Sequence, residues 1–357
     1  MDGQSVLIPF SFKNIPMKKL AIINFEKNPD HEYVGLELQY FSGGDYGMGY
    51  RVIAYRNDRY VDVYDDLSLN HIPDEQFDVA GKGLCERRTV AINDTVFEKG
   101  DCGLKIFFSF VDKYNREIVV RVTERSKKWT RGINLLAPIG SSSEKPTNLP
   151  LFYLYGFDFI RKYKTESEVM IDNKHIQMDN FPFPFPKDLQ WRYYSRYSTE
   201  CQIIEFAKSM DSTLEIEILD GNNTVAKDGI IFHYDERKAL LKISMKKSEH
   251  PFSIEFKNGF PDIHTLTENE DYADTFIIRA GDVMGSISGH YTITRYGNTI
   301  DIELLPSGGW SPATDSFLTK ILFGQKSVFS TWPKAYQYKQ RIDLTTLKSN
   351  SSWENTR

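Results

Sequence analysis

A chain of 357 residues is longer than one hydrophobic core organises well, so two domains are expected. Its 40% hydrophobic and 26% charged residues are those of an ordinary globular protein, with no apolar run near the roughly 20 residues of a membrane helix. A net charge of −5 without a concentrated Lys/Arg stripe argues against nucleic acid as a partner.

Short runs of alternating apolar and polar residues, separated by turn signals, recur from the first fifty residues almost to the end. Aromatic residues make up 14% of the chain, with 24 Phe and 20 Tyr, and rings suit the half-buried pleated surface of a strand. Residues 33–40 read as a strand, and the glycine-rich stretch 42–47 links it to a hairpin. Asp45 and Tyr46 stand at the tip of that link, where a loop can reach into a barrel mouth. Residues 49–56 and 59–64 form the hairpin, with Asn57 and Asp58 expected to supply the left-handed backbone of a two-residue turn.

The next pair is equally clear. Leu104, Ile106, Phe108 and Phe110 fall on one strand face; Asp112 to Asn115 turn; Ile118, Val120 and Val122 fall on one face of the following strand. Arg121, Thr123 and Arg125 take its opposite, wetter face, and residues 125–131 continue as a solvated loop. The small, polar, proline-bearing stretch 137–150 reads as a linker, dividing the chain into β domains at 1–145 and 151–357.

Beyond the linker come an aromatic segment at 151–159 and a hairpin around Asp172 and Asn173. The Phe-Pro repeat at 181–186 lacks ladder donors, so an extended plug or connector is expected there. Residues 191–197 mix rings with positive charge. If they are extended, Arg192, Tyr194 and Arg196 share one face, suited to an anionic or aromatic head-group or to pairing with cross-strand acids. Hairpins follow at Asp220 to Asn223, Asp235 to Glu236 and Gly297 to Asn298. His290 opens a strand on the face of Thr292 and Thr294, opposite Tyr291 and Ile293. One helix is expected at 312–323: Ser311 caps it, Pro312 starts it, Phe317, Leu318, Ile321 and Leu322 form its apolar stripe, and Gly324 stops it.

Recognisable chemistry is sparse. The seven histidines form no HxH or HExxH pair and none lies at zinc spacing from a cysteine, so no metal and no cofactor is expected. No GxSxG elbow or phosphate loop is present. Three cysteines, Cys85, Cys102 and Cys201, give no disulfide framework and suggest a reducing, cytoplasmic compartment, with a single Cys85–Cys102 bridge left open. The first residues lack a signal-peptide pattern, although a chain whose leader has been cleaved reads the same.

The fold class is therefore all-β: two antiparallel β-barrel or β-sandwich domains with one short C-terminal helix. Two successive β modules, an aromatic-rich interior and a late helix resemble the two-domain lipocalin-like β-barrel proteins, the group of carotenoid 1,2-hydratase and tocopherol cyclase. The resemblance is one of architecture and carries no residue role across. It implies a cavity for a hydrophobic small molecule and, in some members, an acid that protonates an alkene.

On that basis Asp45 and His290 are the candidate acid–base residues, and Tyr46, Arg192, Tyr194, Arg196 and Trp310 the candidate ligand contacts. Catalysis, if any, would be a non-hydrolytic isomerisation, cyclisation or hydration; enzyme and binder both stay open. One alternative is a carbohydrate-binding or carbohydrate-active sandwich, with Trp191, Trp310 and Trp332 near turns as stacking residues. The other is an interaction scaffold with no small-molecule site. Exposed sheet edges leave homo-oligomerisation open.

Overall fold

Alternation along the chain becomes strand nearly everywhere that a computed structural model describes it, which is residues 4–26, 30–70, 78–79, 82–126, 132–137, 145–181, 186–245, 250–314, 317–324 and 334–356. The class is all-β, and partly barrel-like. Two compact units form, each from separated stretches of sequence. A two-sheet unit combines Pro16–Leu135 with Leu154–Ile203; a meander unit combines Met1–Ile15, Leu136–Tyr153 and Ile204–Arg357.

In the two-sheet unit, one sheet runs in the order Arg192–Ser198, Met17–Asn24, Tyr33–Ser42, Met48–Arg56, Val61–Asp66 and Lys82–Val90. Its last pairing, Val61–Asp66 with Lys82–Val90, is parallel. The second sheet is five-stranded and antiparallel, in the order Lys174–His175, Thr165–Ile171, Glu117–Glu124, Gly103–Val111 and Asn93–Gly100. Leu36, Leu38, Val52 and Ala54 of the first sheet share one core with Ile106, Phe108, Ile118 and Val120 of the second. The opposite face of Glu117–Glu124 is wet, as alternation requires, and Arg121 and Arg125 pair there with Glu168 and Glu166.

The meander unit contains a ten-stranded antiparallel sheet. Nine of its strands follow one another in the chain, from Thr224–Lys227 to Lys348–Asn355, and Asp211–Thr213 pairs beside the last. Strands Phe252–Phe260 and Tyr336–Asp343 lie four places apart in that order, which would be ~19 Å across a flat sheet. Yet Phe256 and Tyr338 both contact the ring of Phe10, at centroid distances of 6.1 and 6.2 Å. The sheet is therefore curled around Phe10. That residue belongs to an N-terminal strap at residues 8–12, tethered by Ile8 N–H donating to the Glu215 carbonyl and Ala207 N–H to the Ser11 carbonyl.

One turn recurs. After Asp112, Asp220 and Asp235, the N–H of each aspartate donates to the carbonyl four residues on, at 3.0 Å in each case. Asn115, Asn223 and Lys238, each three residues after the aspartate, take φ of 60°, 57° and 64°. Oδ1 of each aspartate also accepts two backbone N–H groups of its own turn. This is a type I turn followed by a left-handed residue, the usual frame of a longer hairpin loop. The hairpin after Met48–Arg56 has the same frame with Arg56 in first place, so its left-handed residue is Arg59 (φ 71°) and not Asn57 or Asp58. The carboxylate of Asp58 instead accepts from Arg56 Nε and Tyr60 N–H. Asp172 and Asn173 do form the turn of the expected hairpin, both left-handed, with φ of 50° and 61°.

One other expectation changes, and two fall partly outside the described residues. The helix is Phe317–Phe323: Ser311 ends a strand and Pro312 is not helical, because the strand Thr299–Ser311 carries its ladder that far. Ile321 is exposed, and Phe323 supplies the buried contact. Of the linker, residues 138–144 lie outside the described residues, and Leu149 and Pro150 already belong to the strand Leu149–Arg161. Phe181 of the Phe-Pro repeat packs on Phe159 and Tyr194, while residues 182–185 lie outside the described residues.

Phe10 is 1% exposed and touches four rings, so Phe10→Ala should cost ~3–5 kcal/mol in urea unfolding followed by tryptophan fluorescence. A loss under about 1 kcal/mol would show that the strap is no part of the core.

Candidate functional site

Where the strap meets the curled sheet it leaves a cavity of about 220 Å³. Phe10, Phe12, Ile230, Phe232 and Tyr338 give it apolar walls, and Gln340 and Ser351 bring polar groups to it. Lys227 and Glu215, also lining it, form an ion pair. A closed apolar cavity of ~150 Å³ admits benzene, so by volume alone this partly open cavity of mixed lining has room for a somewhat larger molecule.

Three of the polar side chains at the cavity are held by their surroundings. Ser351 Oγ donates to the Lys208 carbonyl at 2.8 Å and accepts from Met210 N–H. Burial pushes the Tyr338 phenol well above its ordinary range, so it stays neutral. Gln340 is 4% exposed and donates through Nε2 to the Pro9 carbonyl at 3.0 Å and to Ser349 Oγ at 2.9 Å. Its Oε1 is buried and has no hydrogen-bond partner among the described residues.

The residues expected from sequence do not converge on this cavity. Asp45 lies exposed in the short helical turn Gly44–Tyr46 of the two-sheet unit, its carbonyl accepting from Asn70 Nδ2. Tyr46 stacks on Phe41 at 5.1 Å. Arg192 forms an ion pair with Asp158, which is the cross-strand acid pairing. The Arg196 guanidinium lies 5.2 Å from the Tyr194 ring. His290 is exposed on the outer face of the meander sheet, bonded through Nδ1 to Ser307 Oγ at 2.9 Å, while Tyr291 and Ile293 beside it are fully buried. Trp310 is 7% exposed, donates Nε1–H to the Met284 carbonyl and packs on Phe323 at 4.9 Å. It is a core residue under the helix, so it presents no stacking face. Trp332 lies outside the described residues, and Trp191 is exposed.

Sequence reading also missed the buried charges of the two-sheet unit. Glu37 accepts from Tyr55 Oη at 2.5 Å and Gln39 Nε2 at 2.7 Å, on the face opposite the core. Burial raises its carboxyl above the ordinary range, against the pull of those two bonds and of the Arg196 charge. Asp62, 1% exposed, is held by Lys113 Nζ at 2.8 Å, Tyr33 Oη at 3.1 Å and Arg56 at 3.2 Å. Tyr33 and Tyr64 share a 2.8 Å bond, and burial pushes the Tyr64 phenol up to about 12. Alternation does put Glu37 on the polar face between Leu36 and Leu38, but it does not say that this face is covered.

No His/Cys/Asp/Glu group that could hold a metal ion occurs among the described residues. Nor is any helix among them long and apolar enough to cross a membrane. No family model matches the chain, and neither does any of the curated proteins or solved structures compared with it.

Two outcomes are expected. A carboxyl whose folded value is raised contributes stability below its unfolded value, near 4.5, and loses it as pH rises through the folded value. Glu37→Gln has no such titration, so its stability relative to the parent should rise between pH 4.5 and 8 in urea denaturation; a pH-independent difference would contradict the burial argument. All three cysteines are free, Cys85 and Cys102 exposed and Cys201 buried with its thiol pushed up by desolvation. A thiol reagent should therefore modify two sites in the native protein and a third only in denaturant.

Proposed function

We propose that the protein binds a small hydrophobic molecule in the cavity between the N-terminal strap and the curled sheet of the meander unit. The observation that carries this reading is the cavity itself: about 220 Å³, with the rings of Phe10, Phe12, Phe232 and Tyr338 in its wall beside polar and charged side chains. Its size suits a ligand of about ten to fifteen non-hydrogen atoms, well short of a long-chain lipid. The lipocalin-like resemblance belongs to the same proposal, since a curled antiparallel sheet around an apolar ligand is the arrangement it implies.

Binding is favoured over catalysis. Neither Asp45 nor His290 lines the cavity, and each is exposed, so neither is placed to protonate a molecule held there. The carbohydrate alternative loses Trp310 as a stacking surface to the protein core. Trp191 is exposed but does not line the cavity.

Native mass spectrometry of the full chain, mixed with a panel of small aromatic and terpenoid hydrocarbons, tests the proposal. One-to-one adducts are expected, and Ile230→Trp, which fills the cavity, should abolish them. A chain that takes up no member of the panel overturns the reading.

A further inference from the structure

We infer that Lys162 and Asn180 of the two-sheet unit join through their side chains in an isopeptide bond, with loss of ammonia and Glu26 as proton carrier. Three side chains from separated stretches meet there. Lys162 Nζ donates to Asn180 Oδ1, and Asn180 Nδ2 donates to Glu26 Oε1 at 3.0 Å. Both neighbours demand the same amide orientation, because a lysine nitrogen donates to the oxygen and a carboxylate accepts from the NH₂. Backbone contacts hold the three together. Glu26 N–H donates to the Gln177 carbonyl, Asn180 forms a β-bridge with Tyr193, and Lys162 N–H donates to the Trp191 carbonyl.

A lysine in water is charged and is no nucleophile. Lys162 is half-buried, its nitrogen 5.4 Å from the Tyr193 ring centroid. Its second bond, at 3.0 Å, goes to the Lys187 carbonyl, so both of its acceptors are uncharged. Desolvation lowers its amine below the ordinary lysine value; Lys187 adds to the shift, while Asp188 and Glu26 oppose it. Beside Asn180, Phe181 packs on Phe159 and Tyr194 at 4.7 and 5.7 Å and puts apolar surface next to the amide. Glu26 Oε1 also accepts from Lys187 Nζ at 3.3 Å.

The step balances without oxidant or cofactor. The deprotonated Lys162 nitrogen attacks Asn180 Cγ, which lies about 1.2 Å along the C=O bond from the oxygen it already holds. The C=O π pair moves to Oδ1; as it returns, the Cγ–Nδ2 bond breaks and Nδ2 leaves as ammonia. The lysine nitrogen gives up two protons in all. One reaches Nδ2 through Glu26, and the other goes to solvent, so the products are a neutral secondary amide and ammonium. Lys162 follows the strand Leu149–Arg161, paired with Arg192–Ser198 of the first sheet, and precedes Thr165–Ile171 of the five-stranded sheet. Asn180 lies on the way back, so the bond closes residues 162–180 into a ring across the passage between the sheets.

Mass spectrometry of the denatured full-length protein tests this. The intact chain should weigh about 17 Da less than its sequence, and its digest should contain a branched peptide joining residues 162 and 180. Lys162→Arg, which keeps the charge and the donors, should weigh what its own sequence does. Glu26→Gln should leave most of the chain unlinked, and undiminished linkage in it would overturn the role of Glu26. Cyclisation of Asn180 onto its own backbone loses the same mass, yet it persists in Lys162→Arg and yields no branched peptide. That result, or a parent chain at its full sequence mass, would overturn the isopeptide bond. The parent chain's mass and digest decide the question even where a variant fails to fold.

Discussion

A curled β-sheet must fill its concave face, and in the meander unit that task falls to a piece of chain from the far end of the sequence. Phe10 sits among Phe206, Phe256, Phe260 and Tyr338, so residues from strands far apart in the sheet order meet on one side chain. Beside Phe10 the strap offers Pro9, which has no N–H, and Ser11, whose side chain and carbonyl are used by Lys208 and Ala207. The cavity lies along this strap, with Ile8, Pro9, Phe10, Ser11 and Phe12 all lining it. The residues that anchor the strap also line the cavity, and Gln340 is one of them, its Nε2 donating to the Pro9 carbonyl.

The sheets owe their regularity to local chemistry. Asp112, Asp220 and Asp235 each satisfy their own turn's N–H groups and each precede a left-handed residue by three positions. A carboxylate at that place costs nothing in packing, since it binds backbone already held close by the hairpin. The same frame forms after Met48–Arg56 without an aspartate in first place, so the carboxylate supports the turn without dictating it.

The two-sheet unit adds a different economy. Its core is purely apolar across Leu36, Val52, Phe108 and Val120, yet charged groups are buried at its margins. Asp62 is tolerable there because Lys113, Arg56 and Tyr33 all reach it. Among the described residues Glu37 has Tyr55, Gln39 and a more distant Arg196, and burial prevails for its carboxyl.

Local spacing was enough to read much of this protein. The all-β class, the faces of Gly103–Val111 and Glu117–Glu124, the Asp172–Asn173 turn and the outward face of His290 all follow from period-two alternation and turn chemistry, which act within a few residues. The pairing of Arg192 with a cross-strand acid was legible as a type of contact, but not its partner, Asp158. The late helix was legible as an apolar stripe, yet its start was not, because the long strand Thr299–Ser311 claimed the capping residues first. The cavity was not legible at all. Its walls come from residues near position 10, from 208 to 215, from 227 to 232 and from 338 to 351, and no local pattern encodes that meeting. The amino-acid order by itself determined which side chains share a strand face. Whether a face becomes solvent, core or cavity was decided by the curling of the sheet and the path of the strap, because burial depends on what packs opposite and not on what lies beside.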